Sequence, residues 1–184
     1  MRWTTPTLDN LANEGILLEN FYTNELCGPS RASIMTGRYA LRLGIVEATG
    51  ALPLTETTLA EELKSAGYRN YIIGKWHLGR STDYYFPTYR GFDYFYGYVE
   101  GYEDYWTKQH DFSPNLYENT TLVTNKAELV VALHTGYLFE TKAEEVIKLH
   151  ATNYPDTPMF LYYPMRLVHS PWTAPEIYLE RKFP

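Results

Sequence analysis

The sequence is poor in cysteine and has no long apolar run. Its 184 residues include one cysteine, so no internal disulfide can form, and cysteine usage says little about the cellular compartment. No apolar segment could span a bilayer, and the start of the chain leads straight into helix-cap residues instead of a signal peptide. The 22 acidic residues outnumber the 16 basic ones, which argues against a nucleic-acid partner. A small anionic ligand stays possible, because local cations govern such a site.

The single cysteine lies in a segment whose local chemistry favours an anion. Pro29 suits the first turn of a helix, because its missing N–H has no helical partner there. We predict a short helix over 30–36, with Gly37 as its left-handed stop. Cys27 would then lie just before a helix N-terminus, where free N–H groups attract negative charge. Arg31 adds a planar set of N–H donors that suits an oxyanion. The alternative is that Cys27 is a small buried apolar residue, as a lone cysteine more often is.

Helical and extended patterns alternate along the rest of the chain. We expect a helix that Thr5 caps and Gly15 ends, and another that begins after Thr57 or Thr58 and stops at Gly67. A third helix is predicted over 137–149, and strands are predicted over 16–22, 68–73 and 159–163. Residues 80–126 are interpreted as a long aromatic loop. This alternation favours an α/β domain with a largely parallel sheet.

Two further polar groups follow predicted strands. Lys75 and His77 come after one strand, and His169 follows the last, so both groups and Cys27 can converge beyond the carboxyl ends of the sheet. A lysine can hold an oxyanion, and a histidine can move a proton near neutral pH. Read alone, a Lys-x-His pair is typical of a surface loop. The remaining histidines match no motif and are interpreted as structural: His110, His134 and His150.

Three segments carry a resemblance to a known family. Cys-Gly-Pro-Ser-Arg followed by Thr-Gly-Arg over 27–38 resembles the sulfatase signature, whose cysteine is oxidised to formylglycine. Gly-Lys-Trp-His-Leu-Gly over 74–79 is similar to the second sulfatase signature, and His169 is placed like the family's sulfate-contacting histidine. The segment over 87–105 resembles the arylsulfatase B, I and J branch. The resemblance covers nearly the whole chain.

The resemblance implies an alkaline-phosphatase/sulfatase-like α/β fold and hydrolysis of sulfate esters, on sulfated sugars of glycosaminoglycans. A formylglycine-generating enzyme would convert Cys27 into the nucleophile, which is also a ligand of a bound Ca²⁺. Lys75 and His169 would hold sulfate oxygens. Arg31 would steady the modified residue, and His77 would assist proton transfer. The family also implies a lysosomal or secreted protein, and the Asn119 sequon would then be a glycosylation site.

The resemblance is incomplete in one respect. Sulfatases carry two aspartates upstream, and an Asp-Asn pair with a lysine downstream, that match nothing in this chain. We therefore expect residues 1–184 to be part of the N-terminal catalytic domain, truncated at both ends, with the other metal ligands outside it. A non-catalytic fragment that binds sulfated glycan or a partner is the alternative. A phosphodiesterase of the related fold is a third interpretation, against which Cys27 argues, because a serine or threonine nucleophile is expected there.

Overall fold

The computed structural model describes residues 5–124 and 133–179. The helices are α1 (Pro6–Glu14), α2 (Cys27–Thr36), α3 (Leu59–Ser65), α4 (Thr135–Asn153) and α5 (Glu176–Leu179). The strands are β1 (Arg69–Lys75), β2 (Tyr94–Tyr98), β3 (Gln109–His110), β4 (Ser113–Pro114), β5 (Leu116–Glu118), β6 (Thr121–Leu122) and β7 (Met159–Tyr162). Short 3₁₀ helices lie at Ala40–Leu43, Asp83–Tyr85 and Pro87–Tyr89.

The main sheet is mixed, with a parallel centre. Its strand order within the described ranges is β6-β5-β2-β1-β7. β1 runs parallel to both of its neighbours, β2 and β7, whereas β5 and β6 add antiparallel pairs at one side. The predicted α/β fold with a largely parallel sheet is therefore confirmed. The carboxyl ends of β1, β2 and β7 lie at one edge, and Lys75 is the last residue of β1.

The sheet separates two apolar cores. Successive side chains of a strand point to opposite faces, so Ile72 packs on the face that also buries Met35 of α2. Tyr71 and Ile73 lie in the other core together with Phe139 of α4. Helices therefore cover both faces, which explains why β1 is buried at every position after its first residue.

Local sequence rules fix the ends of two helices near the site. Thr58, and not Thr57, caps α3: its Oγ1 accepts a hydrogen bond from the Glu61 N–H at 3.1 Å. The Glu61 carboxylate accepts one from the Thr58 N–H at 2.7 Å, which completes a capping box. Gly37 ends α2 with a φ of 67°, as predicted.

Several predicted boundaries need correction. The predicted strand over 16–22 is wrong: these residues are exposed, and no described strand pairs with them, so their backbone has no ladder to join. The predicted loop over 80–126 contains β2, which is buried in the sheet; residues 125–126 lie outside the described part. Helix α4 is longer than predicted at both ends.

Candidate active site

Cys27 is the first residue of α2, three residues earlier than the predicted helix begins. A loop precedes it, so the expectation that it follows a strand was wrong. The half-buried thiol lies 3.3 Å from Nδ1 of His77. Gly28 allows this helix start to approach the neighbouring loop, because a Cβ there would lie 2.6 Å from the carbonyl oxygen of Ala48.

Lys75 is held at the carboxyl end of the central strand. It is only 2% exposed, and its ammonium group donates to the carbonyl oxygen of Gly101. Its main chain is also fixed, since its N–H donates to the carbonyl oxygen of Pro164 at 3.1 Å. Burial, and then the neighbouring charge of Arg31, lower the pKa of Lys75 to about 8. A bound anion would offset both effects, because it favours the charged ammonium form.

His77 lies two residues beyond Lys75, in a backbone conformation that the sequence did not predict. Its φ of 59° is left-handed, a region that residues other than glycine seldom occupy, so the segment is not extended here. The Gly101 backbone covers the ring, since a Cβ on Gly101 would lie 3.1 Å from the His77 Cε1. Burial, followed by the charges of Lys75 and Arg31, lowers the pKa of His77 to about 3. The imidazole is therefore neutral at neutral pH.

Arg31 connects α2 to the end of β1. Its Nη1 donates to the main-chain carbonyl oxygen of Lys75 at 2.7 Å. Its buried Nε has no hydrogen-bond acceptor among the described residues. The guanidinium therefore fixes the strand end while it adds positive charge beside Cys27.

These side chains meet around one cavity of about 310 Å³. Four of the five predicted catalytic and substrate-binding residues line it: Cys27, Arg31, Lys75 and His169. His77 contacts the thiol and lines a second cavity of about 480 Å³. His169 is exposed, and its Nδ1 lies 2.9 Å from the carbonyl oxygen of Ser170. The three segments therefore converge on one cavity, which Lys75 and His169 reach from strand ends and Cys27 reaches from the start of a helix.

Two polar residues of this cavity were not predicted from the sequence. Arg166 and Tyr98 also line it, and both are buried. Tyr98 ends β2, the strand that was interpreted as loop. Arg166 lies in the loop between β7 and His169; a basic residue three positions before that histidine was the only signal in the sequence.

The remaining candidates lie away from the cavity. Asn119 forms a turn between β5 and β6, with a φ of 55°, and its Oδ1 accepts a hydrogen bond from the Phe95 N–H at 3.1 Å. Its glycosylation stays a prediction. His150 is a buried structural residue, 3.0 Å from the hydroxyl of Tyr71. His134 stacks on Tyr105 with ring centroids 4.7 Å apart.

A larger cavity of about 490 Å³ lies beside the first turn of α4 and is mainly apolar. None of the predicted site residues lines it. Within residues 5–124 and 133–179, no group of three or more His, Cys, Asp or Glu side chains could hold a metal ion. None of the helices in those ranges has the length and apolar character needed to cross a membrane.

Comparison with known proteins decides the family. A family model described as Sulfatase matches residues 2–183. The chain belongs to the sulfatase family. Mouse arylsulfatase J is 38% identical over 96% of the chain, and human N-acetylgalactosamine-6-sulfatase is 34% identical over 95%. Human arylsulfatase G is 50% identical over 50% of the chain.

The chain spans 30% of the length of arylsulfatase J and 37% of that of N-acetylgalactosamine-6-sulfatase. Solved sulfatase structures share its fold. The PsFucS1 sulfatase from Pseudoalteromonas sp. superposes with a TM-score of 0.71 and 23% identity, over 93% of this chain and 40% of that one. BT4656, solved with its substrate D-glucosamine-2-N,6-O-disulfate, gives 0.69 and 26%, over 92% and 30%.

Proposed function

We propose that this chain forms part of the catalytic centre of a sulfuric ester hydrolase that acts on sulfated sugars. The observation that carries the proposal is the cavity beside Cys27, where Lys75, Arg31 and Arg166 bring positive charge to a single nucleophile position. Such a cluster is suited to an anion, and the charge developing on a transferred sulfuryl group would be stabilised there. Family membership supports the same reaction class.

The position of Cys27 suits conversion to formylglycine by a formylglycine-generating enzyme. The residue is half-buried at the cavity and lies at the N-terminus of a helix. In that form it would supply a hydrated aldehyde, whose hydroxyl groups provide the nucleophile and allow the enzyme to regenerate. The neutral His77 has a nitrogen 3.3 Å from the Cys27 side chain, so it can accept a proton from the group at this position.

The other residues divide the work of binding. The Lys75 ammonium has three N–H donors and gives one to Gly101, so it can also donate to a sulfate oxygen. His169 also lines the cavity and would contact another sulfate oxygen. Arg31 acts through its bond to the Lys75 carbonyl oxygen, which holds the end of β1 beside α2.

The described residues do not fit a Ca²⁺ ion. Ca²⁺ requires six to eight oxygen ligands, whereas the other described side chains that line the Cys27 cavity are cationic, aromatic or apolar, and no metal-ligating cluster occurs in the described ranges. Residues 1–184 are proposed to be one part of the sulfatase catalytic domain, and a lysosomal or secreted location is proposed from the family.

The first experiment joins modification to activity. The catalytic domain that contains residues 1–184 is produced with a formylglycine-generating enzyme, the Cys27 peptide is examined by mass spectrometry with hydrazide trapping, and hydrolysis of an aryl sulfate and a sulfated monosaccharide is measured. We expect the aldehyde and both activities. Cys27→Ala should abolish activity. Lys75→Met should lower kcat/KM on the order of a hundredfold.

Lys148→Met is the matched control, because this lysine lies exposed on α4 and pairs with Glu144. It should leave both activities unchanged. A protein that carries the aldehyde and binds inorganic sulfate but hydrolyses neither ester would overturn the catalytic proposal. That result would favour the alternative of a fragment that binds sulfated glycan.

A further inference from the structure

The loop that carries His169 is fixed by a buried hydrogen-bond network and not by contacts of the His169 side chain. His169 and its neighbours Val168 and Ser170 are exposed. The His169 N–H donates to the carbonyl oxygen of Arg166 at 3.1 Å, and among the described residues its Nδ1 contacts only the adjacent Ser170 carbonyl oxygen. The direction of the imidazole into the cavity therefore depends on how the main chain of this loop is held.

Arg166 holds the His169 loop through hydrogen bonds to main-chain carbonyl oxygens. It is 2% exposed, and its Nε and Nη2 donate to the main-chain carbonyl oxygen of Glu103 at 3.0 and 2.8 Å. Nη2 also donates to the carbonyl oxygen of Ser170 at 2.5 Å. One guanidinium therefore joins the residue after His169 to the loop that follows β2. The planar fork of arginine suits such a set of acceptors, and a lysine could not reproduce it.

Tyr105 also holds this loop, and together with Arg166 it forms what we call the clamp. Its side chain is 1% exposed, and its hydroxyl lies 3.0 Å from the carbonyl oxygen of Arg166 and 2.9 Å from that of His169. The Arg166 guanidinium lies over its ring, 4.3 Å from the centroid. The main-chain carbonyl oxygen of Tyr105 accepts hydrogen bonds from the Thr135 N–H and hydroxyl, both at 2.8 Å. The His169 loop is thereby tied to the first turn of α4.

We propose that Tyr105 and Arg166 are positioning residues, which fix the main chain on both sides of His169 so that its imidazole faces the sulfate cavity. The proposal rests on the proposed function, because it gives His169 the task of binding sulfate. Ordering a loop has an entropic cost for each residue fixed. Because these contacts order the loop when the protein folds, the substrate binds a loop that is already ordered, and binding does not incur that entropic cost.

The test is a double-mutant cycle on Tyr105 and His169. Tyr105→Phe keeps the buried ring and removes only the hydroxyl, and His169→Ala removes the imidazole. The readouts are the dissociation constant of inorganic sulfate, measured calorimetrically, and kcat and KM for an aryl sulfate. Loss of the hydroxyl should weaken sulfate binding about three- to tenfold and raise KM similarly, the effect of one hydrogen bond. In the His169→Ala background the same change should have no effect.

Tyr102→Phe is the matched control, because its hydroxyl bonds to Asp111 at the surface. It should leave sulfate binding unchanged. Arg166→Lys and Arg166→Met should both weaken binding, with Lys the milder because it retains the charge, although not the planar arrangement of donors. If the arginine variants fail to fold, the double-mutant cycle on Tyr105 and His169 still tests the proposal.

The outcomes separate the two proposals. Equal effects of Tyr105→Phe on sulfate binding with and without His169 would overturn the positioning role, since the hydroxyl would then affect binding independently of His169. Sulfate binding with the expected coupling but without ester hydrolysis would support the clamp and overturn the catalytic proposal. A wild-type protein that binds no sulfate would overturn both.

Discussion

His77 should make the folded protein sensitive to acid. Burial and the nearby charges of Lys75 and Arg31 lower its pKa from the ordinary 6.5 to about 3. Between these two values the unfolded chain binds a proton that the folded protein excludes. The contribution of His77 to the free energy of unfolding is therefore fully present above pH 6.5 and is lost as the pH falls from 6.5 towards 3.

The magnitude follows from the two pKa values. At pH 5 the unfolded state gains about 2 kcal/mol from protonating this histidine, whereas at pH 7 it gains only a few tenths. Such a loss corresponds to a fall in Tm of about 4 to 8 °C for a domain of this size. His77→Asn removes the titration, and asparagine tolerates the left-handed backbone at this position.

The assay is urea unfolding of the wild type and of His77→Asn at pH 7 and pH 5. We expect the wild type to lose about 2 kcal/mol more than the variant between these conditions. His110→Asn should retain most of the acid sensitivity of the wild type, because burial and the charges of Lys75 and Arg31 lower the His77 pKa more than His110 does. Added sulfate should reduce the loss, because an anion beside His77 favours its protonated form. Identical pH profiles for wild type and His77→Asn would refute the reasoning.

Two further predictions concern packing and a buried acid. Gly28→Ala should lower Tm more than Gly37→Ala, because its Cβ would collide with the Ala48 carbonyl oxygen, whereas Gly37 has open space and only a positive φ. Comparable losses would contradict the close approach. Burial raises the pKa of Glu103 to about 8, so the stability it contributes is lost as the pH rises from 4.5 towards 8. Glu103→Gln should remove that decline in urea unfolding between pH 5 and pH 7.5, and parallel profiles for wild type and variant would contradict it.

The parts of the site that sequence predicted are those set by short-range rules. The Cys-Gly-Pro-Ser-Arg segment begins a helix because proline fits the first turn, and Gly37 ends it because the left-handed stop costs glycine little. The strand that delivers Lys75 was found from its apolar run, apart from its last residues. These features depend on residues within one or two helical turns of each other.

Long-range pairing accounts for the failures. The segment over 16–22 has the composition of a strand, but composition supplies no neighbouring ladder, and the described structure provides none. β2 contains Gly97 and lies among turn formers, so the sequence pattern predicted a loop. It forms a strand because it pairs with β1 along five residues. Strand pairing is a property of two segments, and one segment cannot reveal it.

The sequence by itself determined the chemistry available: one cysteine at a helix start, an arginine one turn on, and the Lys-x-His pair and late histidine of the sulfatase signatures. Only the tertiary structure decided how these groups behave. It buried Lys75 and His77 among like charges, which lowers both pKa values, and it placed Arg166 and Tyr105 under the loop of His169. Residue type fixes which bonds a group can make, whereas burial and neighbours distant in sequence fix its charge and direction.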